Sequence, residues 1–147
     1  MIIRTSNLAE TCDLARTIIF RLRPKTTNAS ILALSGDLGS GKTAFTQGVA
    51  QALGISDTIT SPTFVIEKIY QVTGSPLWKR LIHIDAYRLN SGQELLALGF
   101  KEITKDPYNI IVIEWPERVA DILPPEVQTI SFKFINEEIR EINYEEK

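Results

Sequence analysis

Gly36-Asp37-Leu38-Gly39-Ser40-Gly41-Lys42-Thr43 spells G-x-x-x-x-G-K-[ST], and no other stretch constrains this chain as strongly. The apolar run Ile31-Leu32-Ala33-Leu34 precedes it, and the helical spacing of Phe45, Val49 and Leu53, closed by Gly54, follows it. Strand, glycine loop, helix is the context in which this pattern means a phosphate cradle. The glycines allow successive backbone N–H groups to turn inward, and the helix start adds the positive end of its dipole. Lys42 supplies a mobile positive charge for the outer phosphates and Thr43 a hydroxyl for Mg²⁺. The expected fold is therefore a three-layer α/β P-loop NTPase type with a mostly parallel central sheet, and the expected ligand a nucleoside triphosphate.

The 147 residues, 44% of them hydrophobic, suit one domain, residues 1–147, with a core of its own. Sixteen basic against 18 acidic residues give a net charge of −2, so composition does not support binding nucleic acid unaided. Cys12 is the sole cysteine, which excludes disulfides within the chain and suits a reducing compartment. With no apolar run of spanning length and no signal-like start, a cytoplasmic, membrane-free protein is expected.

Ile2 and Ile3 open a short strand or apolar edge. Asn7 and Glu10 form a capping box, and Leu8, Cys12, Ala15, Ile19 and Leu22 then recur at helical spacing up to Pro24. This places Cys12 in the core. Arg16, Arg21, Arg23 and Lys25 make the helix end basic, as a solvated face or a docking patch.

Asp57 to Phe64 is rich in hydroxyls and holds Pro62, a shaped loop in which Thr60 or Thr63 can sense a terminal phosphate. Phe64 to Tyr70 and Leu81 to Asp85 read as a paired hairpin, and His83 as a hydrogen-bonded core histidine. Arg88 can pair with Asp85 or reach phosphate. Ser91 and Glu94 cap a short helix ending at Gly99; Lys101 to Tyr108 reads as a polar, broken connection. Ile110 to Ile113 has the unbroken apolar character of a buried parallel strand and ends in Glu114. Two apolar strands thus finish in carboxylates, Asp85 and Glu114: one to help hold Mg²⁺, the other to orient attacking water. Pro116 to Leu123 reads as a helix. Thr129 to Ile135 and Ile139 to Tyr144 form a terminal hairpin, with Arg140 reaching the nucleotide or a neighbouring Glu, and residues 145–147 fray.

GDLGSGKT, TSPTF, HIDAYRL and IEWPER, in that order, resemble the bacterial ATPases of tRNA threonylcarbamoyladenosine (t6A) biosynthesis, the TsaE family. The resemblance implies an ATP hydrolase, weak alone, that supports turnover of a threonylcarbamoyl-transfer complex. The partners it implies are two sugar-kinase-like proteins, TsaB-type and TsaD-type, with tRNA reached only through them. By motif, Gly39, Ser40, Gly41, Lys42, Thr43, Ala44, Thr63, Asp85 and Arg140 would contact ATP. Thr43 and Glu114 would hold Mg²⁺, and Lys42, Asp85 and Glu114 would carry catalysis. The competing readings are a small-molecule P-loop kinase and a nucleotide-gated binding module with incidental hydrolysis. The kinase suffers from the absence of an arginine-bearing lid after Glu114, where only Arg118 and Arg140 occur.

Overall fold

Ser30–Gly36 forms β2, the strand that carries the glycine loop, and its side chains at 31–34 are all buried. A strand buried on both faces needs strands on both sides and helices above and below. The computed structural model, which describes residues 1–145, supplies them: a seven-stranded sheet ordered β1-β7-β6-β2-β5-β4-β3. Its centre is parallel: β2 pairs with β5 (Asn109–Glu114) and β6 (Gln128–Phe134), and β5 pairs with β4 (Arg80–Asp85). Antiparallel pairs finish both edges: β3 (Glu67–Gln71) on β4, and β7 (Arg140–Glu145) on β6, with β1 (Ile2–Thr5) on β7.

Helices α1 (Leu8–Arg21) and α2 (Lys42–Ala52) cover one face, packing Ile18, Ile19, Phe45 and Val49 on Leu32, Leu34, Val112 and Ile130. Phe45 is fully buried edge-on to Phe132, with ring centroids 5.5 Å apart; burying such a ring contributes about 1.5–3 kcal/mol. The two helices cross at Gly48, where a Cβ would lie 2.5 Å from the Cys12 carbonyl oxygen. The opposite face is covered by α3 (Gly92–Ala97), α4 (Phe100–Thr104) and a 3-10 segment, Pro116–Ile122, around Leu95, Phe100 and Val119.

Local signals and outcome agree at α1: Asn7 Oδ1 accepts from the Glu10 N–H at 2.9 Å, and the Glu10 carboxylate accepts from Ser6 N–H. Arg23 donates to the Phe20 and Leu22 carbonyls past the helix end, so the basic end serves at least partly as a cap. Elsewhere the structure corrects the sequence reading. The expected helix Pro116 to Leu123 is a kinked 3-10 segment, with Val119 out of helical geometry. The strand expected from Phe64 begins only at Glu67, because Phe64 and Val65 lie in a turn closed by the Val65 and Ile66 N–H groups on Pro62 O. Residues 101–104, expected as part of a broken connection, continue a helix whose Phe100 is anchored in the core. Ser91 precedes α3 without a side-chain cap bond; Glu94 reaches back to Asn90 N–H instead. Of the expected frayed end, Glu145 pairs with Thr129 in the sheet, and residues 146 and 147 lie outside the described residues.

Candidate nucleotide site

Side chains two apart on a strand share a face, so His83 and Asp85 on β4 and Glu114 on β5 all point toward the α1/α2 side. The register pairs Asp85 with Glu114, which brings the two carboxylates to the carboxyl edge of the sheet beside the glycine loop. A cavity of about 580 Å³ opens there. Its wall carries Lys42, Thr43, Asp85, Glu114 and Arg140 together with Gly39, Gly41, Ala44 and Thr63. Ser40 is the one expected contact whose side chain stands apart: it is buried, and its hydroxyl finds no partner among the described residues.

The loop is held open by geometry that only glycine satisfies. Gly36 has φ +145°, and a Cβ on it would lie 2.5 Å from the Phe132 carbonyl oxygen of the neighbouring strand. Gly39 and Gly41 also have positive φ, and α2 begins at Lys42. The Lys42 ammonium donates to Gly36 O at 2.6 Å and sits 4.0 Å from the Trp115 ring centroid. Burial pushes its pKa below the ordinary lysine value; Glu114 and Asp85 act in the opposite direction. Trp115 reaches this position because its backbone takes a left-handed turn, φ 58°, directly after β5. The Thr43 hydroxyl makes no hydrogen bond among the described residues and is exposed in the cavity.

Ser61, which the sequence reading did not single out, closes the carboxylate pair. Its hydroxyl donates to Asp85 Oδ2 at 2.7 Å and lies 3.2 Å from Glu114 Oε2. Thr63 donates to the same Asp85 oxygen at 2.8 Å, and Tyr87 N–H to the other at 2.9 Å. Asp85 therefore has both oxygens engaged. Glu114 is held through Oε2 alone, by Ser61 and by His83 Nε2 at 2.8 Å. The loop is anchored further along by Ile66 O, which accepts from Asp85 N–H at 2.8 Å. Ile66 takes φ 68°, a β-branched residue in left-handed backbone that costs about 1–2 kcal/mol. Thr60, the alternative sensor, is exposed and makes no hydrogen bond to either carboxylate among the described residues.

Cys12 is half-buried, not core: it lines the cavity and its thiol donates to Ala44 O at 3.1 Å, because the α1–α2 crossing brings that face of α1 to the site. Arg88 does not pair with Asp85; it lies over the ring of Phe64, in the 57–66 loop, at 4.5 Å. Arg140 donates through Nε to Gly39 O at 3.1 Å and makes no ion pair with a neighbouring Glu among the described residues, where it is Arg4 that pairs with Glu141.

Among the described residues no cluster of three or more His, Cys, Asp or Glu side chains could hold a metal ion. Nor is any helix there long and apolar enough to cross a membrane.

The model of the family described as "Threonylcarbamoyl adenosine biosynthesis protein TsaE" matches residues 5–142. A tRNA threonylcarbamoyladenosine biosynthesis protein TsaE of Treponema pallidum is 39% identical over 132 residues, 88% of this chain and 91% of the relative. The protein of that name in Bacillus subtilis is 35% identical over 145 residues, 96% of this chain and 82% of the relative. A crystal structure of Bacillus subtilis YdiB superposes with a TM-score of 0.75 and 30% identity, covering 98% of this chain and 83% of that one. With the fold, the motif order and these likenesses agreeing over nearly the whole length, the chain belongs to the TsaE family.

Proposed function

We propose that this protein binds ATP with Mg²⁺ in the cavity at the end of β2 and hydrolyses it in support of t6A formation on tRNA. The observation that carries the reading is the convergence of Lys42, Thr43, Asp85 and Glu114 on one cavity whose rim is the glycine loop. The donor set suits Mg²⁺: beside a nucleotide it takes one or two carboxylates and phosphate oxygens, not a cage of protein ligands. Thr43 offers an unengaged hydroxyl, and Glu114 offers Oε1, which has no protein partner among the described residues. When bound, the ion neutralises charge on the phosphate oxygens.

The chain's own residues supply the rest. Lys42 exchanges Gly36 O for a phosphate oxygen, and the loop N–H groups hold the phosphates in place. Asp85, once Ser61 and Thr63 release it, orients the attacking water. Releasing it moves Phe64, which is 84% exposed, so nucleotide state alters a surface available to partners. In keeping with the family resemblance, those partners are the TsaB-type and TsaD-type proteins in the cytoplasm, with tRNA reached through them.

The test is ATP hydrolysis by the purified protein, alone and with both partners and tRNA, with Lys42→Ala as control. A low rate that rises with the partners and vanishes in Lys42→Ala supports the proposal. A rate indifferent to partners but stimulated by a small metabolite hands the site to a kinase.

A further inference from the structure

His83 is fully buried, on the sheet face it shares with Leu81, Ile110 and Val112 of the apolar core. An aliphatic side chain there would carry no desolvation cost, whereas an imidazole must justify its polar atoms. Nε2 lies 2.8 Å from Glu114 Oε2, and Glu114 is 3% exposed. Nδ1 has no partner among the described residues, so the ring makes this single polar contact. Register explains the aim: His83 sits opposite Val112, and Glu114 is the next residue on that face of β5, a diagonal neighbour across two parallel strands.

We infer that His83 is a positioning residue that fixes the carboxylate plane of Glu114 and so the direction in which its second oxygen faces the cavity. This rests on the proposed role of Glu114 toward Mg²⁺. Donation from Nε2–H fixes Oε2 at the sheet, where Ser61 also approaches it, and leaves Oε1 as the oxygen for the metal. Without the imidazole, Oε2 keeps only the Ser61 contact, and the carboxylate plane that aims Oε1 at the ion is no longer firmly fixed. Hydrogen-bond partners behind metal ligands act in this way, and losing one costs about 10–100-fold in metal affinity.

The experiment measures the affinity of a fluorescent ATP analogue with and without Mg²⁺, alongside the thermal unfolding midpoint, in four proteins. These are wild type, His83→Met, His83→Gln and Glu114→Gln. In His83→Met the gain in affinity brought by Mg²⁺ falls about tenfold, while Mg²⁺-free affinity and the midpoint hold. His83→Gln, whose amide N–H can stand in for Nε2–H, restores most of the gain. Glu114→Gln loses the gain. If His83→Met keeps the full gain while Glu114→Gln loses it, the inference falls and the proposed function stands. If Glu114→Gln keeps the gain, the role of Glu114 itself falls. A midpoint and a Mg²⁺-free affinity that drop together in both His83 variants make the residue a packing element and overturn the inference. Should His83→Met not fold, His83→Asn takes its place, being too short to reach Glu114, with the same expected loss.

Discussion

Lys42 rests with its ammonium 4.0 Å over the Trp115 ring while donating to Gly36 O. A cation so placed on an indole contributes about 0.5–1 kcal/mol when exposed and more when desolvated. Drawing the lysine toward a phosphate removes it from the ring. Trp115 emission is therefore expected to change as ATP·Mg²⁺ is titrated. A Trp78→Phe background, which leaves Trp115 as the only indole, isolates the signal. Adding Lys42→Met to that background should abolish the change.

The same lysine makes the ligand-free fold sensitive to alkaline pH. Burial lowers its folded pKa, so between that value and the ordinary one the unfolded chain holds the proton and the folded chain does not. This group's contribution to stability consequently rises with pH across that window. Lys42→Met, relieved of a buried charge, should unfold at higher urea than wild type at pH 7, with the advantage shrinking toward pH 10. Urea titrations at the two pH values check both parts.

Ser61 and Thr63 clasp the residue 57–66 loop onto Asp85. A hydrogen bond to a charged group contributes about 1.5–3 kcal/mol. Thr63→Val should therefore speed amide hydrogen exchange in residues 57–66 about tenfold or more without altering exchange in β4 and β5. Asp85→Ala, which removes both contacts, should exceed it. Protection equal to wild type in Asp85→Ala would show that the loop is held by something else.

Arg140 ties the last strand to the glycine loop through Gly39 O. Arg140→Gln, losing the guanidinium and that bond, should weaken ATP affinity roughly tenfold, equivalent to about 1.4 kcal/mol. The unfolding midpoint should stay near wild type, since Arg140 is on the edge of the site and outside the core. Isothermal titration with a non-hydrolysable analogue measures the loss.

The glycine loop, the two strands that end in acids and the terminal hairpin were legible because each is written in consecutive residues. What stayed hidden depends on which strands become neighbours. Nothing local in Ser61 says that it will stand between Asp85 and Glu114, residues 24 and 53 positions away. The partner of His83 likewise follows from the β4–β5 register, which no short window contains. Cys12 was misplaced for a related reason: its helical spacing marks a face of α1, but the crossing at Gly48 turns that face toward the cavity as well as toward the core. Phe64 and Val65 have strand-forming side chains, yet the turn on Pro62 takes them out of the sheet.

Among the described residues β1 pairs with β7 alone, and β7 also delivers Arg140 to the glycine loop. Thr5 of β1 lies directly opposite Arg140, so a change that loosens the edge pairing is carried along β7 to Gly39 and the wall of the cavity.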